Sequence, residues 1–451
     1  MGGQKIFGTD GVRGLANKSP MDSEMALKLG RAAAYALRNG THRNRIVVGK
    51  DTRLSGYMLE TAIASGITSA GTDVFLVGPL PTPGVAFIVK SMRADAGVVI
   101  SGSHNDYRDN GIKFFDKEGF KLSDVLEHTI EEAILTGKME TARAESDKLG
   151  KNFRIDDATG RYIQFLKSCF PSEKTLEGLK LVVDCSNGAG YQVAPHVLEE
   201  LGAHVYPIHN HPDGMNINRD CGSLHTKNLC KQVVNVEAHC GIALDGDADR
   251  IIMCDEKGHV VDGDVILALC ALHWRQTGAL KKDTVVATVM SNLALDHSME
   301  QHKIKVLRTE VGDRYVVRAM REGGFNIGGE QSGHLIFLDH NTTGDGMLGA
   351  LMVLKIMLEK SQPLSELKKV LTPYPQVLLN VAVKQKSDLG QVPAVAKVIA
   401  EVTKSLGKQG RILVRYSGTE NIARIMVEGE ESGKIQHLAN LVQEVILQNL
   451  G

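Results

Sequence analysis

The sequence predicts an α/β protein: three similar α/β domains with mixed or parallel sheets, plus a smaller C-terminal α+β domain, arranged around a central cleft. Three observations predict it. Short apolar runs bounded by turn residues alternate with helical stretches of ordinary length, the pattern of βαβ units. In three successive stretches such a run ends in a short polar loop containing glycine. From about Pro373 the order changes to strand, helix, two strands and a final helix. With 451 residues the chain has room for roughly three or four domains.

The elements follow in order. After Phe7-Gly8-Thr9-Asp10-Gly11-Val12-Arg13-Gly14 the spacing predicts a helix near Met25 to Arg38, then a strand over Arg45 to Gly49 whose end carries Lys50-Asp51-Thr52-Arg53. A helix over Met58 to Ala70, the strand Val74 to Val77 and the turn Gly78 to Gly84 come next, followed by another helix. The run Ala96 to Ile100 reads as a buried parallel strand feeding Ser101-Gly102-Ser103-His104-Asn105-Asp106. A charged helix, Val125 to Gly137, and the polar stretch Thr141 to Lys151 close the first domain, 1–152.

In the second domain, 153–257, strand Leu179 to Asp184 ends in Cys185-Ser186-Asn187-Gly188, and a helix spans Val193 to Leu201. There Gly241 to Leu244 runs into Asp245-Gly246-Asp247-Ala248-Asp249-Arg250. The third, 258–371, holds helix Asp264 to Gly278, strand Thr284 to Val289, helix Gly312 to Arg321 and the loop Glu330-Gln331-Ser332-Gly333-His334. It closes with a long apolar helix, Gly346 to Lys360. The fourth, 372–451, places strand Val377 to Val383, helix Val392 to Leu406 and strands Ile412 to Arg415 and Ala423 to Val427 around Arg415-Tyr416-Ser417-Gly418-Thr419-Glu420-Asn421.

Composition excludes several classes. The 52 basic and 53 acidic residues nearly cancel, so no global field favours nucleic acid or an anionic membrane, and an anion site must be built locally. Seven cysteines without a Cys-x-x-Cys pair suit neither a disulfide framework nor a tetrahedral zinc site, and they fit reduced thiols. No apolar signal core opens the chain and no run reaches membrane-spanning length, which predicts a soluble cytoplasmic protein.

Ligands of α/β sheets bind beyond the C-terminal ends of strands, which makes the polar loops the candidate sites. The serine loop gathers two hydroxyls, an imidazole and a carboxamide, with Lys113 ten residues past Ser103. Asp245, Asp247 and Asp249 alternate, so an extended backbone would point three carboxylates to one side. Such crowding needs a cation, and oxygen-only ligands select a hard one, Mg²⁺. A calcium EF-hand is excluded because Arg250 stands where the loop's glycine is required. Arg415 with Ser417, Gly418 and Thr419 suits a dianionic phosphate, which takes bidentate guanidinium contacts plus neutral donors. Glu330, Gln331 and Ser332 carry acceptors and a hydroxyl fit for sugar hydroxyls or an amine.

Taken together, Ser-Gly-Ser-His-Asn with Asn-Gly-Ile-Lys downstream, Asp-Gly-Asp-Ala-Asp-Arg, Gly-Glu-Gln-Ser-Gly-His and Arg-Tyr-Ser-Gly-Thr-Glu occur in this order, one per domain. The chain resembles the α-D-phosphohexomutase family. Its opening Phe-Gly-Thr-Asp-Gly-Val-Arg-Gly and Gln331 resemble the branch acting on glucosamine phosphates; relatives acting on mannose and glucose phosphates more usually carry methionine at that position. The resemblance implies interconversion of glucosamine 6-phosphate and glucosamine 1-phosphate on the route to UDP-N-acetylglucosamine, in a homodimer. It implies that Ser103 is the phosphorylated serine, that Asp245, Asp247, Asp249 and a phosphoserine oxygen bind Mg²⁺, and that Arg250 neutralises the transferring group. Lys113 and His104 become acid/base candidates tuned by Arg13. Glu330, Gln331, Ser332 and His334 would hold the sugar, and Arg415, Ser417, Gly418, Thr419 and Arg424 the phosphate that is not reacting. A hexose bisphosphate such as glucosamine 1,6-bisphosphate would activate the enzyme. The alternatives are a phosphomannomutase/phosphoglucomutase of the same family, an inactive sugar-phosphate-binding regulator, and a phosphatase. Two residues depart from the usual Ser-Ala-Ser-His-Asn-Pro pattern, Gly102 and Asp106, and the second sets a carboxylate near the serine.

Overall fold

Val- and Ile-rich runs buried on both faces form parallel strands, and here each of three sheets begins that way and ends in an antiparallel partner. The computed structural model describes residues 6–8, 10–38, 42–417 and 421–451. The first sheet contains β1 (Val12–Leu15), β2 (Arg45–Lys50), β3 (Asp73–Pro79), β4 (Ala96–Ile100), β5 (Asp109–Asp116) and β6 (Asn152–Arg154), in the order β1-β5-β4-β2-β3-β6. β2 pairs in parallel with β3 and β4, whereas β5 runs antiparallel to β4.

The second sheet repeats the plan with β7 (Lys180–Asp184), β8 (His204–Ile208), β9 (Cys240–Leu244), β10 (Ile251–Asp255) and β11 (Val260–Val261), ordered β11-β10-β9-β7-β8. The third does so with β12 (Thr284–Thr288), β13 (Lys305–Thr309), β14 (Ile327–Gly329) and β15 (Leu335–Phe337), ordered β13-β12-β14-β15. In each, the polar loop joins a strand parallel to the sheet's centre to the next, antiparallel strand: β4 to β5, β9 to β10, β14 to β15. Three loops of one kind thus follow from one repeated topology. A fourth sheet, wholly antiparallel, holds β16 (Gln376–Ala382), β17 (Gly410–Tyr416) and β18 (Ile422–Gly429), ordered β16-β18-β17.

The fold divides into two units, residues 1–290 with 304–370, and residues 291–303 with 371–451. The helix Leu293–Gln301, between β12 and β13 in sequence, belongs to the second unit, where the Leu293 amide donates to Glu428 Oε1 at 2.9 Å. In the first unit, helices Ser23–Ala36 and Leu54–Ser69 cross at glycines: a Cβ on Gly30 would lie 2.2 Å from the Ile63 carbonyl, and one on Gly66 2.1 Å from that of Leu27. Only a bare backbone permits so close an approach. The second unit encloses its own core, with Val395, Val398, Ile425, Val427, Leu438 and Val442 among its buried residues.

Candidate active site

The serine loop is held from below by a buried guanidinium. Arg53, fully buried, donates from Nε to Asp51 Oδ2 (2.7 Å) and from its terminal nitrogens to the carbonyls of Ser103 (2.9 Å), Asn105 (2.8 Å), Asp109 (3.0 Å) and Asp106. Asn218 Nδ2 grips the carbonyls of Ser103 (2.8 Å) and Asn105 (2.9 Å) from the other side. Ser101 is occupied structurally, because its Oγ donates to Asp51 Oδ2 at 2.7 Å and accepts the Ser103 amide at 2.9 Å. Ser103 adopts a left-handed backbone, φ 52°, which turns its Oγ toward Asp245 Oδ2, to which it donates at 2.9 Å. His104 Nδ1 lies 3.4 Å from the same Oγ. The Asp106 carboxylate turns away to the exposed Arg108, accepting its amide (3.0 Å) and Nε (2.7 Å).

The aspartate loop converges by a turn instead of the extended run that the alternation predicts. Ala248 is left-handed at φ 56° and its amide donates to the Asp245 carbonyl at 3.0 Å, so the carboxylates meet by folding over. Glycine makes this compact: a Cβ on Gly246 would sit 2.5 Å from the Ser103 carbonyl, and one on Gly188 2.4 Å from that of Gly246. Asp247 Oδ2 accepts Thr82 Oγ1 at 2.6 Å and Lys113 Nζ at 2.9 Å. The ligand oxygens of Asp245, Asp247 and Asp249 lie within 4.8 Å of one another, all three residues are buried, and Asp247 Oδ1 and Asp249 Oδ1 accept no hydrogen bond. Buried, oxygen-only and convergent, with two of its oxygens unsatisfied, this set fits a hard divalent cation. Burial, reinforced by Asp249 and Asp247, holds the Asp245 carboxyl well above the carboxylate range, as expected for three acids sharing one site.

Six side chains, alternately basic and acidic, close into a ring beneath these loops. Lys113 Nζ lies 3.6 Å from both Asp10 and Asp249; Lys121 contacts Asp10 and lies 2.6 Å from Asp313; His334 lies 3.4 Å from Asp313 and 3.5 Å from Asp249. Burial opposes the charge on Lys113, but Asp10, Asp247 and Asp249 outweigh it and raise its pKa, so the amine stays protonated. The reverse holds for Asp249: burial would raise it, yet Lys113 and His334 hold it well below the usual range. Arg13 pairs with Asp10 at the ring's edge. His104 falls to about 4 through burial, with Arg250 and Arg13 adding to the effect, and is neutral at physiological pH. Arg250 keeps its charge because Asp249, Asp245 and Glu330 overcome its burial.

In the β14–β15 loop, half-buried Glu330 accepts the Gly312 amide at 3.3 Å and Gln331 Nε2 donates to Asp262 Oδ2 at 3.3 Å. Ser332 is likewise half-buried. His334 instead lies buried, its Nε2 accepting the Gly344 amide at 3.2 Å and its Nδ1 facing Asp249 at 3.5 Å. In the second unit, Arg415 and Arg424 stand directly opposite each other across β17 and β18, and Ser417 is buried. Burial and then the like charge of Arg424 lower the Arg415 pKa. Gly418 and Thr419 lie outside the described residues.

Sequence reasoning missed Asp10, Arg53, Lys121, Asn218 and Asp313. Arg53 had a signal, its place at the end of β2, where α/β sheets build sites. Lys121 and Asp313 had none: their meeting depends on the packing of the first sheet's periphery against the third.

A serine set against three convergent aspartates at adjoining strand ends, with lysine and arginine beside them, defines an enzyme that moves a phosphoryl group, an intramolecular phosphotransferase. Four family models of phosphoglucomutase/phosphomannomutase match most of the chain: α/β/α domain I at residues 4–141, domain II at 160–258, domain III at 262–374 and the C-terminal domain at 378–445. The chain belongs to this family, the α-D-phosphohexomutases. Phosphoglucosamine mutase of Myxococcus xanthus is 58% identical over 447 residues, covering 99% of this chain and 98% of the relative. That of Citrifermentans bemidjiense is 57% identical over 448 residues, covering 99% of both. Among solved structures, a phosphoglucomutase/phosphomannomutase family protein of Burkholderia thailandensis shares the fold at TM-score 0.83 and 23% identity, covering 100% of this chain and 98% of that one.

Proposed function

We propose that this protein interconverts glucosamine 6-phosphate and glucosamine 1-phosphate through a phosphoserine at Ser103 and a bisphosphorylated sugar, on the route to UDP-N-acetylglucosamine. Full-length identity to phosphoglucosamine mutases supports the substrate. The observation that carries the chemistry is Ser103 Oγ, 2.9 Å from Asp245 within the aspartate cluster.

Asp245, Asp247 and Asp249, with an oxygen on Ser103, would hold Mg²⁺, which when bound supplies positive charge against the phosphoryl group. The sugar oxygen attacks phosphorus as the bond to Ser103 Oγ breaks, and the hydroxyl proton passes to a nearby base. Neutral His104, beside Ser103 Oγ, is equipped to receive a proton, and Lys113, kept protonated, to donate one. After the bisphosphate turns over, the other phosphoryl group returns to Ser103 Oγ. Arg250 balances charge on the group in flight, and Arg13 fixes Asp10 beside Lys113. Glu330, Gln331 and Ser332 orient the sugar, while His334 acts on it indirectly by steadying Asp249. Arg415, Ser417, Gly418, Thr419 and Arg424 hold the idle phosphate in either pose. In this scheme 1–152 carries the phosphoserine, 153–257 the metal, 258–371 the sugar and 372–451 the phosphate, in a cytoplasmic homodimer activated by a hexose 1,6-bisphosphate.

The test is turnover of glucosamine 6-phosphate against mannose and glucose phosphates with bisphosphate supplied. The amino sugar is expected to be preferred; comparable rates for all three overturn the substrate assignment.

A further inference from the structure

A second convergence of ligating side chains lies at the C-terminal edge of the second sheet, behind the aspartate loop. Asp184 ends β7, His209 follows β8, and Cys221 precedes the turn Gly222–Leu224. One ligand atom from each, a carboxylate oxygen, an imidazole nitrogen and a thiol sulfur, lies within 4.8 Å of the other two. His209 Nδ1 is buried and pairs with Asp184 Oδ1 at 3.1 Å. A tetrahedral cation with bonds of about 2.0–2.3 Å separates its ligands by roughly 3.3–3.7 Å. The oxygen and nitrogen, 3.1 Å apart, stand close to that spacing, and the sulfur lies within 4.8 Å of both.

The surroundings support a metal better than a catalytic triad. In a thiol–imidazole–carboxylate triad the two ring nitrogens face opposite partners. Here Nδ1 faces Asp184 while Nε2 meets the Asn228 side-chain amide at 3.3 Å, whose oxygen would accept the Nε2 proton once Nδ1 binds a metal. The outer contacts are those that orient ligands: Asp184 Oδ1 accepts the Ser186 amide at 3.0 Å and Oδ2 the Gly222 amide at 2.9 Å. Asp184 and Cys221 are buried and His209 is half-buried, which leaves one side open for entry and a fourth ligand.

We propose that Asp184, His209 and Cys221 form a binding site for a borderline-soft divalent cation of the Zn²⁺ type, separate from the hard-ion aspartate loop. The mixed N/O/S donor set selects such an ion over Mg²⁺. Binding displaces the proton of the Cys221 thiol, forms the metal–sulfur bond and releases H⁺ to solvent. Its consequence reaches the serine: the segment from His209 to Cys221 carries Asn218, whose amide holds the Ser103 and Asn105 carbonyls. A cation here braces that segment.

Co²⁺ is the probe, titrated into the whole protein with the aspartate loop saturated by Mg²⁺. The expected result is one equivalent bound with thiolate-to-cobalt charge-transfer absorption and the visible bands of a tetrahedral site. Cys221→Ser should abolish the charge-transfer band, and His209→Gln should weaken Co²⁺ binding at least about 10-fold. If Cys221→Ser does not fold, His209→Gln at the half-buried position decides alone. Absence of the charge-transfer band, or a band and affinity unchanged in His209→Gln, overturns the site.

Discussion

In the first unit buried Lys113 and half-buried Lys121 are set against carboxylates, each cation bracketed by at least two acids; in the second, Arg415 and Arg424 are set against one another across two strands. The first arrangement is preorganised. Its charges offset each other's burial, so its geometry stands before any substrate enters. The second is loaded: two like charges side by side cost stability, a cost that a bound dianion would offset under the proposed function.

Four outcomes sharpen or break this contrast, beginning with the largest. Ser103→Ala removes the acceptor of the phosphoryl group and is expected to lower kcat/KM by on the order of 10³-fold or more, with stability retained; steady-state rates check it, and the same loss in Ser101→Ala with Ser103→Ala active would break the assignment. Asp10→Asn strips one acid from between Lys113 and Lys121 and is expected to cost on the order of 3 kcal/mol in urea unfolding. Arg415→Ala should behave oppositely, raising KM about 10²-fold while leaving unfolding unchanged or slightly more favourable to the fold. A stability loss there equal to that of Asp10→Asn would erase the difference between the units.

The smallest effect is one of pH. His104 titrates at about 4 in the fold against 6.5 when unfolded, so between these values the unfolded chain binds more protons and stability rises with pH. The contribution is intact above pH 6.5 and is lost as pH falls toward 4. Denaturant curves should show the parent protein losing about 1 kcal/mol more than His104→Gln between pH 7.5 and 5.5.

Much of this was legible in the sequence because it is local. Strand and helix periods, and the polar loops that interrupt them, depend on neighbours within a few residues, and the long helix Gly346–Lys360 has the bounds its apolar run predicts. Ser103 and the three aspartates were legible because each motif is contiguous. What escaped depends on long-range packing. Arg53 reaches carbonyls about fifty positions away, and His334, read as a sugar contact, is drawn into a ring by Asp313 and Asp249. The aspartate alternation suggested a strand, but burial of three acids against the serine loop favoured a turn closed at Ala248.

The central claim is that Ser103 passes its phosphoryl group to an amino-sugar phosphate. Peptide mass spectrometry of the phosphorylated protein, before and after one equivalent of glucosamine 6-phosphate, tests it directly. The account predicts a single phosphate on Ser103 that leaves the protein and reappears as sugar bisphosphate. Phosphate on Ser101 instead, or phosphate on Ser103 that the sugar does not remove, would contradict it.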